Sequence, residues 1–366
     1  MKGKRYLDFL SGIAVNSIGY SHPALINAIG DQARDIIHVS NLYYILPQAE
    51  LAKALIEESF NGKVFFANSG AEANEAAIKL ARLFGQKNTK KRFKIITATN
   101  SFHGRTLATL TATGQDKFHK GFEPLLPGFI YVPYNNIVAI ESVLDDDVCA
   151  IMLEPIQGEG GVVIPDPHYL PSVRELCNKK NILLILDEIQ TGMGRTGKFF
   201  NYQYYSFTPD ILTVAKSLGG GVPIGAMIAD NNIIDLFSPG THASTFGGNY
   251  LACKAALCVI DIIKQEGLVE NAYKMGDIFT QKLHLLAKRY NFIKQIRGMG
   301  LMVGMELTIN CNLIVQECLA LGLIINRVGE KIIRFLPPLI ITNDEISVAI
   351  DILDEVFSKV VNKELK

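Results

Sequence analysis

The sequence predicts an α/β fold with a large, mostly parallel sheet that helices cover on both faces, together with a smaller α+β domain. Short apolar runs rich in β-branched residues alternate with stretches of helical periodicity through the middle of the chain. Because the runs are apolar at nearly every position, both faces of the sheet must be buried. The runs occupy residues 63–67, 94–99, 150–153, 182–186, 211–215 and 226–229.

Helical periodicity follows the first run and dominates the last third of the chain. After Gly70, alanine and leucine recur at helical spacing as far as Phe84. Two long helical patterns extend from about residue 249 to 290, and short strands follow near 301–307 and 332–336. This change of pattern marks a second structural unit.

The chain closes with an amphipathic helix whose start is marked by a capping box. Thr342 and Glu345 have the spacing at which each side chain can bond the other residue's backbone amide. We expect a large domain at residues 41–254. The small domain then combines residues 1–40 with residues 255–366.

Composition narrows the class of protein. The 366 residues include 36 Lys and Arg against 36 Asp and Glu, so the chain lacks the positive charge of a general nucleic-acid binder. No apolar run is long enough to cross a bilayer, which argues against a membrane partner. The six cysteines form no C-x-x-C pair, so we expect reduced thiols, no metal site and a cytoplasmic location.

Two charged residues directly follow buried strands. Asp187 follows the run 182–186, at the edge of an open α/β sheet where ligands bind. Lys216 follows the run 211–215, and three glycines begin at Gly219. A partly desolvated lysine is a candidate amine nucleophile. A buried ion pair and a lysine that reaches the surface are the ordinary alternatives.

The segment after the first strand has the features of an anion site. Ser69 and Glu72 have capping-box spacing, and Gly70 and Ala71 place no bulky side chain over the helix N-terminus. Free amides and the helix dipole at that point suit a phosphate. An ordinary helix start would look the same.

A glycine-rich segment at residues 192–197 matches G-x-G-x-x-G. A dinucleotide-binding site requires a strand, a tight turn and a helix in direct succession. Here polar residues separate the strand from Gly192, and the aromatic segment that follows opens no helix. We therefore predict a flexible loop, and a nicotinamide-dependent dehydrogenase remains a remote alternative.

Other polar groups collect in short segments between the predicted elements. Phe102 and Arg105 follow one strand, where a ring and a guanidinium could bind a planar group and a carboxylate. Glu159 lies in a segment that follows another strand, Ser244 precedes a helix, and Arg334 lies within a strand. Each has an ordinary structural explanation when taken alone.

The order and spacing of these segments resemble the class III (subgroup II) aminotransferases, which are pyridoxal-phosphate enzymes of fold type I, the fold of aspartate aminotransferase. The resemblance covers nearly the whole chain from Tyr6. Its most specific segments are NSGAEANEAAIKLAR, FHGRT, EPIQGE, LDEIQTGMGRTG, AKSLGGGVPIGA and STFGGN.

The resemblance assigns the cofactor contacts. It implies that Lys216 binds the cofactor covalently and acts as acid–base catalyst, while Asp187 pairs with the pyridinium nitrogen. Gln190 would lie near O3′, and Phe102 would stack on the ring. The phosphate would be held by Gly70 and Ala71, with Thr245 reaching across from the second subunit of a homodimer.

The resemblance also assigns the substrate contacts. Arg105 and Ser244 would contact an acylated ornithine, and Arg334 would bind the α-carboxylate of glutamate or 2-oxoglutarate. Glu159 would pair with Arg334 and mask it until an α-carboxylate arrives. Together these assignments imply a reaction that alternates between a terminal amine and an α-amino acid.

Ile13 points to the donor substrate. Family members that act on free ornithine tend to have a tyrosine at this position, whereas Ile13 resembles the acetylornithine type. The resemblance thus implies transfer of the δ-amino group of N2-acetyl-L-ornithine to 2-oxoglutarate, as in arginine biosynthesis. Ornithine, succinylornithine, succinyl-diaminopimelate and 4-aminobutyrate remain alternative donors.

Overall fold

The computed structural model describes residues 3–87 and 91–362. Its α-helical elements are α1 (Ser11–Ala14), α2 (Pro23–Asp35), α3 (Leu46–Glu58), α4 (Gly70–Gln86), α5 (Leu107–Ala112), α6 (Asp116–His119), α7 (Ile137–Val143), α8 (Tyr169–Lys180), α9 (Asn231–Ile234), α10 (Tyr250–Gln265), α11 (Leu268–Arg289), α12 (Asn312–Leu321) and α13 (Asn343–Val361). Short 3-10 helices span Asn201–Tyr204 and Lys216–Gly219.

The strands are β1 (Leu7–Asp8), β2 (Gly62–Ala67), β3 (Lys94–Ala98), β4 (Phe129–Val132), β5 (Val148–Leu153), β6 (Leu183–Asp187), β7 (Ile211–Val214), β8 (Gly225–Asp230), β9 (Ile293–Met299), β10 (Met302–Leu307), β11 (Leu323–Ile324), β12 (Asn326–Val328) and β13 (Ile332–Phe335).

Within the described residues, the large sheet has seven strands in the order β2-β8-β7-β6-β5-β3-β4. Neighbouring strands from β7 through β4 pair in parallel, whereas β8 is antiparallel to both β2 and β7. The central strands are buried along their whole length, as near-continuous apolar runs require. Apolar clusters pack on both faces, which confirms the predicted α/β architecture.

A smaller antiparallel sheet, in the order β12-β13-β10-β9, is built from the last third of the chain. Helix α11 packs on β9, and α12 packs on α13. The capping box at Thr342 and Glu345 is present at the start of α13, as predicted. The division into a domain at residues 41–254 and one made from the remaining segments stays a prediction.

Two features of the sheets differ from the expectation or extend it. β4 adds an edge strand that the sequence analysis does not identify, and β8 runs against its neighbours. In the amino-terminal segment, β1 pairs in parallel with β11.

Among the described residues, the helices include none with the length and apolar character needed to span a bilayer.

The turn α1 has an uncommon backbone. Ser11, Ile13 and Ala14 have φ values of 52°, 64° and 60°, in the left-handed region that non-glycine residues rarely occupy. Such backbone persists when surrounding contacts hold it in place. One contact is the Ser217 hydroxyl, which donates to the Ala14 carbonyl oxygen at 2.7 Å.

Candidate active site

The carboxyl ends of the parallel strands surround a cavity of about 420 Å³. This is the sheet edge at which the polar residues were predicted to collect. Eight of the predicted site residues line the cavity: Gly70, Ala71, Phe102, Arg105, Glu159, Asp187, Gln190 and Lys216.

Asp187, the last residue of β6, is buried and receives hydrogen bonds on both carboxylate oxygens. Oδ2 accepts from Asn74 Nδ2 at 2.7 Å and lies 2.8 Å from His103 Nδ1, while Oδ1 accepts from the Ile189 amide at 3.1 Å. Thr213 fixes the Asn74 amide by donating to its oxygen at 2.7 Å. These contacts fix the orientation of the carboxylate at the cavity wall.

Asn74 and His103 were not assigned by sequence reasoning. Asn74 is a buried polar residue on the otherwise apolar face of α4, and that mismatch is the signal that could have identified it. His103 is buried as well, and its Nε2 has no hydrogen-bond partner within the described residues. Asn74 contacts Asp187 behind the cavity wall, whereas His103 contacts Asp187 and also lines the cavity itself.

Lys216 begins a 3-10 helix, separated from the end of β7 by Ala215, and has a φ of 48°. Burial lowers the pKa of its ammonium group, and the positive charge of Arg334 adds to that effect. A lysine with a lowered pKa supplies more of the neutral amine that can act as a nucleophile or a base. The candidate nucleophile and Asp187 thus line one cavity.

The predicted anion site, called the cradle below, lies at the start of α4 and comprises Ser69, Gly70 and Ala71. The Ser69 hydroxyl accepts a hydrogen bond from the Glu72 amide. The amides of Gly70 and Ala71 lie in the first turn of α4, where the helix itself offers them no carbonyl acceptor. The cradle is tightly packed from outside. A Cβ on Gly70 would meet Ile189 at 2.7 Å, and a Cβ on Gly225 would meet the Ser69 carbonyl oxygen at 2.3 Å.

Arg105 lies beside two aromatic rings. Its guanidinium carbon is 4.1 Å from the centre of the Phe118 ring and 5.3 Å from that of Phe102. The two rings meet edge to face at 5.8 Å. Arg105 has no carboxylate partner in residues 3–87 or 91–362, so a substrate carboxylate can bind there without displacing an ion pair. Phe118 was missed because no motif marks it.

Arg334 lies behind the cavity wall, with its side chain 1% exposed. Its Nη1 donates to Glu159 Oε1 at 2.6 Å and to Gln190 Oε1 at 3.3 Å. Its Nε donates to Asn326 Oδ1 at 3.3 Å. A buried guanidinium needs an anionic partner, and Glu159 supplies one. The predicted pairing of Arg334 with Glu159 is therefore present.

Ser244 and Thr245 are not among the residues that line the cavity. The Ser244 hydroxyl accepts from Asn68 Nδ2 at 3.2 Å, which places it beside the start of α4. Thr245 is exposed. Ile13 also lies outside the lining, while Val15 from the same turn belongs to it.

Two further carboxylates near the cavity have perturbed pKa values. Glu154 follows β5 and accepts from the amides of Phe102 and Gly158, and burial raises its pKa to about 7. Glu188 follows Asp187 and accepts from the amides of Asn201 and Tyr202, and burial raises its pKa to about 7 as well.

The glycine-rich segment 192–197 is a turn that leads to a 3-10 helix, and this confirms that it lacks the strand–turn–helix context of a dinucleotide site. The expectation of a flexible loop is wrong, because these residues are buried. Arg195 is fully buried and donates from Nη1 to the carbonyl oxygens of Leu301 and Pro337. The loop therefore joins the two sheets.

A family model for class-III aminotransferases matches residues 1–357. The chain belongs to the class-III aminotransferase family. Curated relatives of this class-III aminotransferase include the acetylornithine aminotransferase of Caldanaerobacter subterraneus subsp. tengcongensis, 55% identical over 98% of this chain and 92% of that protein. The acetylornithine aminotransferase of Methanocaldococcus jannaschii is 50% identical over 98% of this chain and 90% of that protein.

Solved structures of other class-III enzymes share the fold. The ornithine aminotransferase of Toxoplasma gondii ME49 has a TM-score of 0.96 at 35% identity, covering 99% of this chain and 88% of that one. The acetylornithine aminotransferase of Elizabethkingia anophelis has a TM-score of 0.85 at 35% identity, covering 97% and 89%. The fold is fold type I, as the resemblance implied.

As a class-III aminotransferase, the enzyme depends on pyridoxal 5′-phosphate, and the cavity fits that cofactor. It offers an amine with a lowered pKa, a fixed carboxylate and a helix N-terminus that a Cβ would crowd. Membership of this family excludes the dehydrogenase alternative. Among the described residues, no group of three or more His, Cys, Asp or Glu side chains could hold a metal ion.

Proposed function

We propose that this class-III aminotransferase moves the δ-amino group of N2-acetyl-L-ornithine to 2-oxoglutarate, giving N-acetyl-L-glutamate 5-semialdehyde and L-glutamate. Curated acetylornithine aminotransferases at 46–55% identity support this donor. Ile13, in place of the tyrosine expected for free ornithine, supports it as well.

The observation that carries the proposal is that, of two arginines at the site, one has a carboxylate partner and the other has none. Arg334 is paired with Glu159, whereas Arg105 has no carboxylate partner within the described residues. In acetylornithine the carboxylate is several bonds from the reacting amine, so it would bind Arg105, away from the reacting centre. Ser244 would provide a second contact to this substrate. In glutamate a carboxylate adjoins the reacting carbon, so it would displace Glu159 from Arg334.

We propose the following roles for the residues at the reacting centre. Bound pyridoxal phosphate supplies an electron sink. Lys216 would hold it covalently until the substrate amine takes the place of Nζ, and the Nζ amine released in this way would take the proton from the carbon that bears the substrate amine. Asp187 would hold the proton on the ring nitrogen, while Gln190 would lie near O3′ and Phe102 would stack on the ring. Gly70 and Ala71 would bind the phosphate.

We further propose a homodimer in which Thr245 contacts the phosphate bound by the partner subunit. The exposed apolar side chains of Leu42, Tyr43, Tyr44, Leu46 and Phe246 support an interface. Asn41 joins them to the loop of Thr245, because its Nδ2 donates to the Ser244 and Gly247 carbonyl oxygens at 2.9 and 3.0 Å. The six unpaired cysteines favour a reducing compartment, and we propose the cytoplasm.

A panel of amine donors tests the substrate. N2-Acetylornithine, N2-succinylornithine, ornithine, succinyl-diaminopimelate and 4-aminobutyrate are compared by kcat/KM with 2-oxoglutarate as the acceptor. The highest value is expected for N2-acetylornithine, and a preference for free ornithine would overturn the assignment. Lys216→Ala serves as the inactive control.

A further inference from the structure

The loop that bears Glu159 is closed at its base. Gln157 and Val163 form an isolated bridge, with hydrogen bonds of 3.1 Å and 3.0 Å in the two directions between their amides and carbonyl oxygens. The Gln157 side chain donates to the Thr99 carbonyl oxygen at 2.9 Å. Residues 158–162 thus form a short loop on a fixed base.

One side of this loop is held from the large sheet. The Glu154 carboxylate accepts from the Gly158 amide at 3.2 Å, and its other oxygen accepts from the Phe102 amide at 3.1 Å. A Cβ on Gly158 would lie 2.3 Å from the Gln190 side-chain oxygen. The backbone just before Glu159 therefore has no room to move toward Gln190.

The opposite side is held from the small sheet by Arg297, a residue of β9. Its Nε donates to the carbonyl oxygens of Gly161 and Val162, both at 3.0 Å, and its Nη2 donates to Gly161 at 2.8 Å. Its Nη1 donates to Glu306 Oε2 at 2.8 Å, which fixes the guanidinium itself. A charged donor makes such bonds stronger than neutral ones.

The backbone that Arg297 holds adopts a conformation that needs support. Val162 has a φ of 56°, which is rare for a β-branched residue, and Gly161 has a φ of 102°. Such backbone relaxes when the contacts that impose it are removed. Val162 lies three residues after Glu159, so relaxation of its backbone would reach the segment that bears Glu159.

From these contacts we propose that Arg297 is a positioning residue of the active site. It fixes residues 158–162 from the side opposite Glu154, so that Glu159 leaves Arg334 by rotation of its side chain while the loop backbone stays in place. The inference rests on the proposed masking of Arg334 by Glu159. The Glu159–Arg334 pair can then separate while the loop that covers the buried Arg334 guanidinium keeps its backbone conformation.

The test uses the holoenzyme and two matched variants on β9. Arg297→Met removes all contacts to the loop. Lys294→Met is the control, because Lys294 pairs with the other oxygen of Glu306 but contacts no loop residue.

The first readout is hydrogen exchange of a peptide covering residues 157–163, measured without substrates. Faster exchange is expected in Arg297→Met and an unchanged rate in Lys294→Met. The second readout is the ratio of kcat/KM for L-glutamate to kcat/KM for N2-acetylornithine. When the loop is held less firmly, Glu159 pairs with Arg334 less of the time, and the α-carboxylate of glutamate binds Arg334 more readily. Arg297→Met should therefore raise the ratio by roughly three- to tenfold.

Removing the mask itself completes the test. Glu159→Ala should raise the ratio further, and adding Arg297→Met to it should change the ratio no more. A ratio change that persists in the double variant, or an equal change in Lys294→Met, would overturn the inference, as would unchanged exchange in Arg297→Met. If the wild type does not accept N2-acetylornithine, the proposed donor fails, and exchange with the KM for glutamate still decides the inference.

Discussion

At the scale of single residues, the site depends on how its charged groups are partnered. Asp187 has three hydrogen-bond partners, Arg334 has a carboxylate, and Arg105 has aromatic rings. Fixed dipoles around a charge cost no reorganisation when the reaction takes place. The partners therefore determine which groups can change their contacts during turnover and which cannot.

Replacing Asp187 with asparagine keeps the shape of the side chain and removes its charge. We predict that Asp187→Asn lowers kcat by roughly 10²- to 10³-fold, the loss typical of one preorganised electrostatic contact. Both half-reactions should slow, and single-turnover rates with N2-acetylornithine and with glutamate measure this. Asp230→Asn, at the N-cap of α9, is the control. Full activity in Asp187→Asn would contradict the role.

Sequence reasoning located the charged residues of the site better than their partners. Asp187 and Lys216 could be placed because strand ends are visible in the sequence. The contacts of Asn74, His103 and Phe118 could not be inferred, because they join segments that are separated in the chain. A partner across such a distance leaves no spacing to detect.

At the scale of elements, the cradle at the start of α4 depends on the close approach of β8. Gly225, the first residue of β8, packs against the backbone of Ser69 and Gly70. The first residue of β8 lies beside the end of β2 because β8 runs antiparallel to β2 and β7. The sequence identified β8 as a strand, but strand direction depends on how the chain returns to the sheet, which apolar runs do not encode.

Adding one methyl group at Gly225 tests this contact. In Gly225→Ala the new Cβ would lie 2.3 Å from the Ser69 carbonyl oxygen, so the cradle must shift. We predict a loss of roughly 1–3 kcal/mol in the free energy of unfolding. The dissociation constant for pyridoxal phosphate should rise too. Spectrophotometric titration of the apoenzyme and denaturation by urea measure the two effects.

Gly30→Ala is the matched control for this variant. Gly30 lies inside α2, where an added Cβ meets nothing nearer than 3.9 Å. Alanine in a helix interior should raise stability slightly and leave cofactor affinity unchanged. Equal cofactor affinity in Gly225→Ala and Gly30→Ala would contradict the role of the close approach.

Glu188 makes the stability of the loop after β6 depend on pH. Burial raises its pKa from 4.5 to about 7, so the folded protein holds this proton more tightly than the unfolded chain does. Its contribution to stability is therefore full below pH 4.5, falls as the pH rises to about 7, and is constant above that.

The variant Glu188→Gln cannot titrate, so it isolates this contribution. We predict that the free energy of unfolding of the wild type, relative to the variant, decreases as the pH rises through the window between 4.5 and about 7. Urea denaturation at several pH values measures the difference. A difference that does not vary with pH would show that the carboxylate does not titrate there.

At the scale of the whole molecule, the main unexplained surface is formed by the exposed apolar side chains of Leu42, Tyr43, Tyr44 and Leu46. Leu42 is 85% exposed, and Tyr43 and Tyr44 are exposed as well. Because a contiguous apolar surface of this kind is typical of an interface, we expect a second copy to cover it. The sequence shows these side chains but not that they share a surface with the loop of Thr245.

Mixing two inactive variants tests whether Thr245 acts across the interface. Lys216→Ala removes the amine, and Thr245→Glu places a negative charge where the phosphate of the partner site is expected. A mixed dimer has one site with an intact lysine and an intact threonine. When equal amounts of the two chains are refolded together, about half of the dimers are mixed and each has one intact site of two. Activity should therefore return to roughly a quarter of the wild-type value.

Each variant refolded alone is the control and should stay inactive. No recovery in the mixture, with dimers demonstrated by sedimentation, would place Thr245 in the site of its own chain. Recovery that appears only above a threshold protein concentration would agree with dissociation of the pair.

The left-handed turn at residues 11–14 links the amino-terminal segment to the segment of Lys216. Its Ala14 carbonyl oxygen receives the hydroxyl of Ser217, the neighbour of Lys216, and Ser17 bonds the same hydroxyl. Substitutions confined to residues 11–14 would therefore disturb the segment of Lys216 while leaving the pairing of β1 with β11 in place. For an engineer who wants a new donor preference, substitutions in this turn would change one side of the cavity and leave Phe102, Asp187 and Gln190 as they are.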